Sequence, residues 1–350
     1  MVLDIGSSVD ACYDDDSSCM AICSCRNGFN GTACDLSTEA FAQFTRMREQ
    51  MCSSIYKTID IQDITADVVS TRATSIAGIL LNIDQISTSA LTNCSTALAD
   101  TVISAVAINP SFVAGNQVIS DLISQAFSAV LAKGSGIPSD LLTLVSTAVS
   151  AQNSAIQSLL AVGEDSACSY TSNLQTCSNK AYGNDATNHT YSAPQSDLDK
   201  FNQAPLAAVR VNISGSGSRR LSTGTVQPVV EVAVIQQSGN PHGASINSSS
   251  VTVIASSSGG ETVSTIMVLH NSAPVDYTPI DAVNYTIVCD NITFTPYNIT
   301  RNCSDGSVYF VECPGNVRGS FGFVCPARVP TPKCLFWNDT SAEFGIDNNC

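Results

Sequence analysis

The sequence predicts a multidomain α+β protein with a small disulfide-rich module, an all-α helical bundle and an antiparallel β-sandwich, in that order. Five cysteines crowd into residues 1–36. Apolar residues recur at helical spacing over residues 38–165, and alternating β-branched runs separated by turn residues fill residues 205–350. A chain of 350 residues is also too long for one ordinary hydrophobic core, which favours several domains.

Composition narrows the function classes. Fifteen cysteines are typical of an oxidising compartment rather than the cytosol. The net charge of −15 leaves no basic surface for nucleic acid and argues against an anionic membrane as partner. No stretch predicts a membrane span, because the best charge-free candidate, residues 141–162, carries nine Ser, Thr, Asn and Gln residues. The start lacks the basic and apolar regions of a secretory signal, so we expect a mature chain or a fragment.

The N-terminal cysteines end in a distinctive spacing. Cys23-x-Cys25 is followed after eight residues by Cys34, with Gly28-Phe29-Asn30-Gly31 between them. This segment resembles the second half of an EGF-like domain, in which a Gly-aromatic-x-Gly run precedes the last cysteine. The resemblance implies that Gly31 supplies a positive-φ turn that lets Cys34 reach back to Cys25.

Five cysteines leave this module one short of the six in an EGF-like domain. The sixth either lies before Met1 or is supplied by Cys52. The calcium-binding signature of EGF-like domains is not clear here, so we interpret Asp14-Asp15-Asp16 as a solvated acidic loop rather than a calcium site. We expect no cofactor.

Five helices are predicted, over residues 39–58, 64–82, 86–108, 111–133 and 140–162. The first places six apolar residues on a face that we expect to be buried: Phe41, Phe44, Met47, Met51, Ile55 and Ile59. Pro110 begins the fourth helix, the run Gly134-Ser135-Gly136 ends it, and Ser139 caps the fifth.

The outer faces of these helices carry almost no charge. Between Thr101 and Val162 the charged residues are Asp121, Lys133 and Asp140 alone. A surface helix of a monomer usually carries charge on its outer face, whereas Ser, Thr, Ala, Asn and Gln can be buried without desolvating ions. Two interpretations stay open: low charge in a glycosylated secreted protein, or cover by another domain or another subunit.

Residues 166–204 are predicted to form a connector, in which Cys168 and Cys177 bracket a short loop and pair with each other. Strands are then predicted over residues 208–213, 226–234, 251–254, 263–269, 285–288 and 308–311. Six later cysteines, from Cys289 to Cys350, staple the sandwich. We interpret the dibasic Arg219-Arg220 as part of a hairpin turn rather than as a processing site.

Catalytic signatures are absent from the sequence. It contains no nucleophile elbow, phosphate loop, dinucleotide fingerprint or HExxH. The three histidines, His189, His242 and His270, stand in turn-rich or strand-edge settings, so we predict exposed polar residues rather than bases or metal ligands. We therefore expect that the protein is not an enzyme and holds no metal.

Acceptor sequons for N-glycosylation are frequent and dense near the C-terminus. They begin at Asn30, Asn93, Asn188, Asn212, Asn247, Asn284, Asn291, Asn298, Asn302 and Asn338. Asn93 and Asn302 are followed by cysteine, which lowers the expectation that they are used. The disulfide candidates are Cys12, Cys19, Cys23, Cys25, Cys34, Cys52, Cys94, Cys168, Cys177, Cys289, Cys303, Cys313, Cys325, Cys334 and Cys350.

The segment Cys334-Leu-Phe-Trp337-Asn338 resembles the Cys-x-Phe-Trp start of the GPS motif. That motif closes the GAIN domain of adhesion receptors and polycystin-like proteins, a helical subdomain followed by a β-sandwich, which is the order of residues 38–350. Phe344 stands where the family usually has a second tryptophan, and the His-Leu-Ser/Thr cleavage tripeptide is not present, so the resemblance does not imply autoproteolysis. From the residues alone, Trp337 is predicted to be a core anchor beside a disulfide.

The EGF-like and GAIN-like order, the sequons and the Ser/Thr/Ala richness together resemble the proteins of mastigonemes, the hair-like filaments of algal flagella, and related EGF-containing proteins of stramenopile algae. The resemblance implies a structural subunit of an extracellular glycoprotein filament at the cell or flagellar surface. We expect self-association into a homopolymer by head-to-tail contacts through the EGF-like end and the uncharged helices, with other flagellar-surface glycoproteins as further partners. The alternative is the ectodomain of an adhesion or polycystin-like receptor.

Overall fold

A computed structural model describes the chain as two compact units. Unit 1 is Met1–Ala273 and unit 2 is Pro274–Cys350. The described residues are 2–3, 19–20, 25–31, 33–196, 200, 207–214, 228–237, 249–258, 261–270, 279, 281–290, 294–303, 308–327, 333–338 and 343–347. Several predicted features lie outside them: Cys12, Cys23, Cys350, Asp14–Asp16, Arg219-Arg220, His242, Asn247 and Asn291.

The N-terminal module contains two short antiparallel strand pairs. Its strands are β1 Val2–Leu3, β2 Cys19–Met20, β3 Phe29–Asn30 and β4 Leu36–Ser37. β1 pairs with β2, and β3 pairs with β4. Cys25 is bonded to Cys34, and Gly31 between them has a φ of 92°, which only glycine adopts without strain. The turn and the pairing expected at these three residues are both present.

Six helices follow the module. They are α1 Thr38–Tyr56, α2 Ala66–Leu80, α3 Thr88–Ile108, α4 Ser111–Ala114, α5 Gln117–Leu131 and α6 Ser139–Leu159. The single helix predicted over residues 111–133 is wrong, because the helix is interrupted at Gly115. The side chain of Asn116 then caps α5 by accepting from the Val118 N–H at 2.9 Å. Ser139 is also not a cap: it is the first residue of α6, and Pro138 precedes it without a side-chain hydrogen bond.

The helices pack around one apolar cluster. Its largest fully buried members are Phe127, Ile76, Leu80, Leu91, Leu98 and Ile123. Within the cluster, Cys52 of α1 is bonded to Cys94 of α3, and both residues are 0% exposed. The alternative in which Cys52 supplies the sixth cysteine of the N-terminal module is therefore wrong.

Two antiparallel sheets complete unit 1. Their elements are β5 Ala167–Tyr170, β6 Leu174–Tyr182, α7 Gly183–Asn188, β7 Thr190–Ser192, β8 Ala208–Ser214, β9 Val229–Gln237, β10 Ser250–Ser257 and β11 Thr262–Val268. One sheet has the order β10-β9-β6-β5 and the other has the order β11-β8-β7. The segment 166–204 predicted as a connector thus supplies three strands. The predicted bond between Cys168 and Cys177 is present and joins β5 to β6.

The four-stranded sheet is the middle layer of unit 1. On one face, Leu174, Ile235 and Ile254 join the apolar cluster of the helices. The other face shares a second cluster with the three-stranded sheet, which includes Val230, Val232, Val234, Tyr191, Val209 and Val211. Because both faces of this sheet are packed, helices and sheets form one unit. The domain boundary predicted at the end of the helices is therefore not present.

A seam of buried uncharged polar side chains lies between the helices and the middle sheet. We call it the polar seam. Its members are Ser120, Ser124, Ser128, Gln152, Asn153, Gln157 and Ser178, each at most 4% exposed. Gln152 Nε2 donates to the Ser120 carbonyl oxygen at 2.9 Å and to the Ser124 hydroxyl at 3.2 Å.

The polar seam also bonds the helices directly to the sheet. The Ser178 hydroxyl of β6 donates to Asn153 Oδ1 at 3.2 Å. With its amide oxygen turned toward β9, Gln157 accepts from the Ala233 backbone N–H at 2.9 Å. The polar seam on α5 and α6 is therefore covered by the chain's own sheet, while Thr143, Thr147 and Ser154 on the outer face of α6 stay exposed.

Unit 2 consists of two-stranded ribbons. Its strands are β12 Val283–Cys289, β13 Tyr297–Asn302, β14 Val308–Cys313, β15 Gly319–Cys325, β16 Cys334–Asn338 and β17 Glu343–Asp347. β12 pairs with β15, β13 with β14, and β16 with β17. The bonds Cys289–Cys313 and Cys303–Cys325 join the first two ribbons, and Cys334 is also disulfide-bonded.

The segment that resembles the start of the GPS motif is one strand of the last ribbon. β16 runs from Cys334 to Asn338 and places the backbone of Trp337 directly opposite Phe344 of β17. Phe344, which stands in place of the expected second tryptophan, is therefore the cross-strand partner of Trp337. Antiparallel strands are present in unit 2, and they are arranged as ribbons.

Candidate interaction surfaces

Most described sequon asparagines lie at the surface. Six are exposed, and these are Asn188, Asn212, Asn284, Asn298, Asn302 and Asn338. Asn30 and Asn93 are half-buried. N-glycans need a solvent-facing amide, so exposure favours these six positions, although Asn188 Nδ2 donates to the Asn184 carbonyl oxygen at 2.9 Å.

The sequon at Asn93 is the least accessible. Ser95, its hydroxyl residue, is 0% exposed, and the intervening Cys94 is bonded to Cys52 inside the helical core. Asn30 is also engaged, because its Nδ2 donates to the Thr38 hydroxyl at 3.0 Å. A glycan at Asn93 is incompatible with the packing of α3 against α1.

An exposed apolar stripe runs along α1. Phe44, Met47 and Met51 lie on one helical face and are 39%, 47% and 46% exposed. We call these three residues the α1 stripe. The expectation that they are buried is wrong, although Ile55 in the last turn of α1 and Ile59 just after the helix do pack against the core.

Polar and covalent contacts decide which side of α1 faces the bundle. Cys52 is bonded to α3, while Arg48 donates from Nε to Gln85 Oε1 at 3.1 Å and from Nη1 to the Ile79 carbonyl oxygen. These contacts turn the Arg48 and Cys52 side of α1 inward. The α1 stripe is left facing solvent as a consequence.

A second apolar surface is formed by two sheet edges. β10 ends the four-stranded sheet, β11 ends the three-stranded sheet, and the two strands contact each other. We call this pair of strands the open side. Its eight and seven residues include no charged residue and no proline, and both registers run without a bulge. Ile266, Met267 and Val268 on β11 are 53%, 46% and 49% exposed.

Natural proteins usually protect edge strands with charges, prolines or bulges, because an unpaired edge can add a strand from another chain. The open side lacks all three forms of protection. It is therefore an unprotected apolar surface that another chain can contact, and the methionines of the α1 stripe allow that stripe to pack on apolar surfaces of different shape.

A buried arginine joins three elements of the helical layer. Arg72 of α2 is 4% exposed and donates to the Thr58 carbonyl oxygen at 2.8 Å, to Thr101 Oγ1 at 3.0 Å and to Gln62 Oε1 at 3.2 Å. Burial lowers the pKa of Arg72. Because all its partners are neutral groups of the fold, we assign Arg72 to holding α2 against α3 and the end of α1.

Two acidic residues, Asp60 and Asp100, are close in sequence to the Arg72 partners Thr58 and Thr101. Burial, and then the negative charge of Asp60, raise the pKa of Asp100 above its ordinary value of 3.8. The shift comes from the helical layer itself and needs no ligand.

Groups suited to catalysis or metal binding are sparse. Within the described ranges, no three His, Cys, Asp or Glu side chains are placed to hold a metal ion. His189 packs edge-on against Tyr191 with ring centroids 4.8 Å apart. Of the described helices, α3 alone is long and apolar enough to cross a membrane, and half of its apolar window is buried inside the bundle.

Sequence reasoning missed both apolar surfaces. The α1 stripe was assigned to the core because its spacing is that of a buried helix face. The absence of charge from residues 250–257 and 262–268 was visible in the sequence, but their positions at two sheet edges depend on strand order.

Five described disulfide pairs indicate an oxidising, extracellular or secreted environment. No known protein-family model matches the chain. A comparison with curated proteins likewise finds no significant match.

Proposed function

We propose that this protein is a structural subunit of an extracellular glycoprotein filament, a flagellar hair or a similar fibril, that assembles by repeated head-to-tail contacts. One observation carries the proposal: unit 1 presents two unlike apolar surfaces, the α1 stripe and the open side. A head-to-tail contact requires two different patches on each subunit, and it continues indefinitely when its rotation does not close a ring.

The two surfaces replace the contacts expected from composition. The polar seam of α5 and α6 is used inside unit 1, so its residues do not serve assembly. The exposed helical contact of the proposal is α1, which directly follows the N-terminal module. The disulfides, the exposed sequons and the EGF-like, GAIN-like and mastigoneme resemblances support the same proposal, and they favour the cell or flagellar surface as its location.

The first test is negative-stain electron microscopy of the native glycosylated protein, purified without reducing agent. Regular fibrils with one repeating bead are expected. Discrete monomers at every concentration tested would overturn the proposal and favour the receptor ectodomain instead.

A mixing experiment tests the head-to-tail geometry. Met47→Lys places a charge in the α1 stripe, and Thr265→Lys places one on the edge strand β11. Each variant alone is expected to remain monomeric in sedimentation velocity. Mixed together they should form a discrete heterodimer, because each retains the surface that the other lacks. Val118→Lys is the control, since this residue is 65% exposed and lies outside both surfaces. Fibrils from both single variants would contradict the proposed contact.

A further inference from the structure

Unit 2 exposes large apolar side chains on the same strand faces as its sequon asparagines. The clearest case is Phe310 of β14, whose side chain is 70% exposed. Phe310 lies directly opposite Thr300 of β13. Thr300 is the hydroxyl residue of the sequon that begins at Asn298.

The register places Asn298 and Phe310 on one face. Residues two apart on a strand share a face, so Asn298 points to the same side as Thr300 and the opposing Phe310. They are diagonal neighbours, which lie roughly 7–8 Å apart and within reach of an aromatic side chain. Cys313 pairs with Tyr297 and therefore belongs to the opposite face, where the ribbon is cross-linked to its neighbour.

The same relation recurs in all four described sequons of unit 2. Each exposed asparagine shares its strand face with an exposed apolar side chain that is opposite, diagonal, or two residues earlier on the strand. The pairs are Asn284 with Val324, Asn298 with Phe310, Asn302 with Val308, and Asn338 with Phe336. The apolar partners are 52%, 70%, 48% and 50% exposed, in that order.

We propose that the N-glycans of unit 2 pack on these apolar side chains, and that the first N-acetylglucosamine on Asn298 lies against the ring of Phe310. The proposal rests on the extracellular glycoprotein nature proposed above. One side of an N-acetylglucosamine ring presents aliphatic C–H groups, which pack on the face of an aromatic ring as other apolar groups do. A sugar in this position removes the exposed ring from water without a protein partner.

This arrangement also separates the two kinds of apolar surface in the molecule. A glycan on the ribbon face would block a protein from docking there, whereas the α1 stripe contains no sequon asparagine. The apolar groups of the ribbons in unit 2 are therefore assigned to the glycans, and the α1 stripe of unit 1 to assembly.

The test uses the full chain secreted from a eukaryotic host, with carbon-13 in the N-acetyl groups and the glycans trimmed to one sugar by an endoglycosidase. Peptide mass spectrometry first measures occupancy at Asn298. In the proton–carbon NMR spectrum, the sugar signals on Asn298, assigned by their loss in Asn298→Gln, should be displaced upfield by the ring current of Phe310. They should return to the unperturbed position in Phe310→Ser and stay displaced in Phe310→Tyr.

A stability measurement gives an independent readout. Deglycosylation at Asn298 alone, by Asn298→Gln, should lower the Tm of unit 2 by about 4 °C in the native background and leave the Tm of Phe310→Ser unchanged. Val317→Ser is the control, because it removes an apolar residue that is 51% exposed and lies outside the ribbons, and it should preserve the effect of deglycosylation. An unmodified Asn298, or sugar signals identical in the native protein and Phe310→Ser, would overturn the inference. The filament proposal is tested separately by microscopy. Fibrils can form whether or not the glycan packs on Phe310, so either result would refute the packing alone.

Discussion

Units 1 and 2 are stabilised in different ways. Unit 1 buries two apolar clusters, one within the helices and one between the sheets. Among the described residues of unit 2, the buried side chains are Ile287 and four disulfide-bonded cysteines. Isolated two-stranded ribbons are only marginally stable in water. One chain thus combines a packed core with a region whose order depends on covalent links. Exposed apolar side chains also have different proposed roles in the two units: contact between subunits in unit 1 and packing of glycans in unit 2.

Removing the disulfides of unit 2 should have the largest effect. In the variant with serine at Cys289, Cys303, Cys313 and Cys325, unit 2 should unfold completely. Each bond stabilises the folded state by about 3 kcal/mol through loop closure, and unit 2 buries little apolar surface that could replace this contribution. Hydrogen exchange measures this directly: amides of β12 and β14 should lose protection while those of β9 keep it.

The matched control removes the bond between Cys52 and Cys94 by substituting alanine at both positions. Loop closure predicts a comparable loss of about 4 kcal/mol, but the apolar cluster should keep unit 1 folded. Loss of protection in both units of either variant would show that the contrast between core and cross-links is wrong.

Phe127→Ala should lower the free energy of unfolding of unit 1 by about 4 kcal/mol. The side chain is 0% exposed at the centre of the helical cluster, so its removal leaves a cavity. Denaturant titration followed by circular dichroism gives the value. Phe44→Ala, in the exposed α1 stripe, should change it by less than about 0.5 kcal/mol in the monomer; equal losses would contradict the assignment of inner and outer faces.

Arg72→Met should destabilise unit 1 by about 2 kcal/mol. The substitution keeps the side-chain volume but leaves the acceptor groups of Thr58, Gln62 and Thr101 without their donor. Thermal unfolding at several concentrations separates this loss from any effect on assembly. Arg46→Met, on the exposed side of α1, serves as control, and a similar loss there would argue against the buried network.

Asp100→Asn should have the smallest effect, and its sign depends on pH. The pKa of Asp100 is raised in the folded state, so the native protein loses stability as pH rises from 3.8 through the folded pKa. At pH 7 the variant should therefore gain up to about 0.5 kcal/mol, since solvent screens the interaction. The gain in stability should vanish near pH 3. At pH 7, Asp60→Asn should give a smaller gain than Asp100→Asn. A gain of equal size at pH 3 would point to packing instead of charge.

Apolar spacing in the sequence predicted α1, α2, α3 and α6 to within three residues at each end, but not the break between α4 and α5. Ser37, Thr65 and Ser87 each accept from the backbone N–H three residues later, at the starts of α1, α2 and α3. The buried side of α1 could not be predicted in the same way. It depends on the bond from Cys52 to α3 and on the hydrogen bonds of Arg48, and these partners are distant in sequence.

The strands of the middle layer were missed for a different reason. In β6, Thr176 and Ser178 face the helices and are buried, so the strand lacks the alternation of apolar and polar residues that identifies a half-buried strand. Its pairing with β9 also joins segments separated by two strands of the other sheet. For the candidate surfaces, the sequons were readable from the sequence, but their relation to Phe310 and Val324 required the strand register.

The polar seam has a consequence for folding during synthesis. Helix α6 ends at Leu159, whereas β9, which covers the seam, begins only at Val229. Chains emerge from the ribosome N-terminus first and domains begin to fold as they appear, so the helical layer exists for a time without its sheet. The uncovered face then presents the hydroxyl and amide groups of Ser120, Gln152 and Asn153 to water in place of aliphatic side chains. We therefore expect the uncovered helical layer to aggregate less readily than a layer whose exposed face is aliphatic.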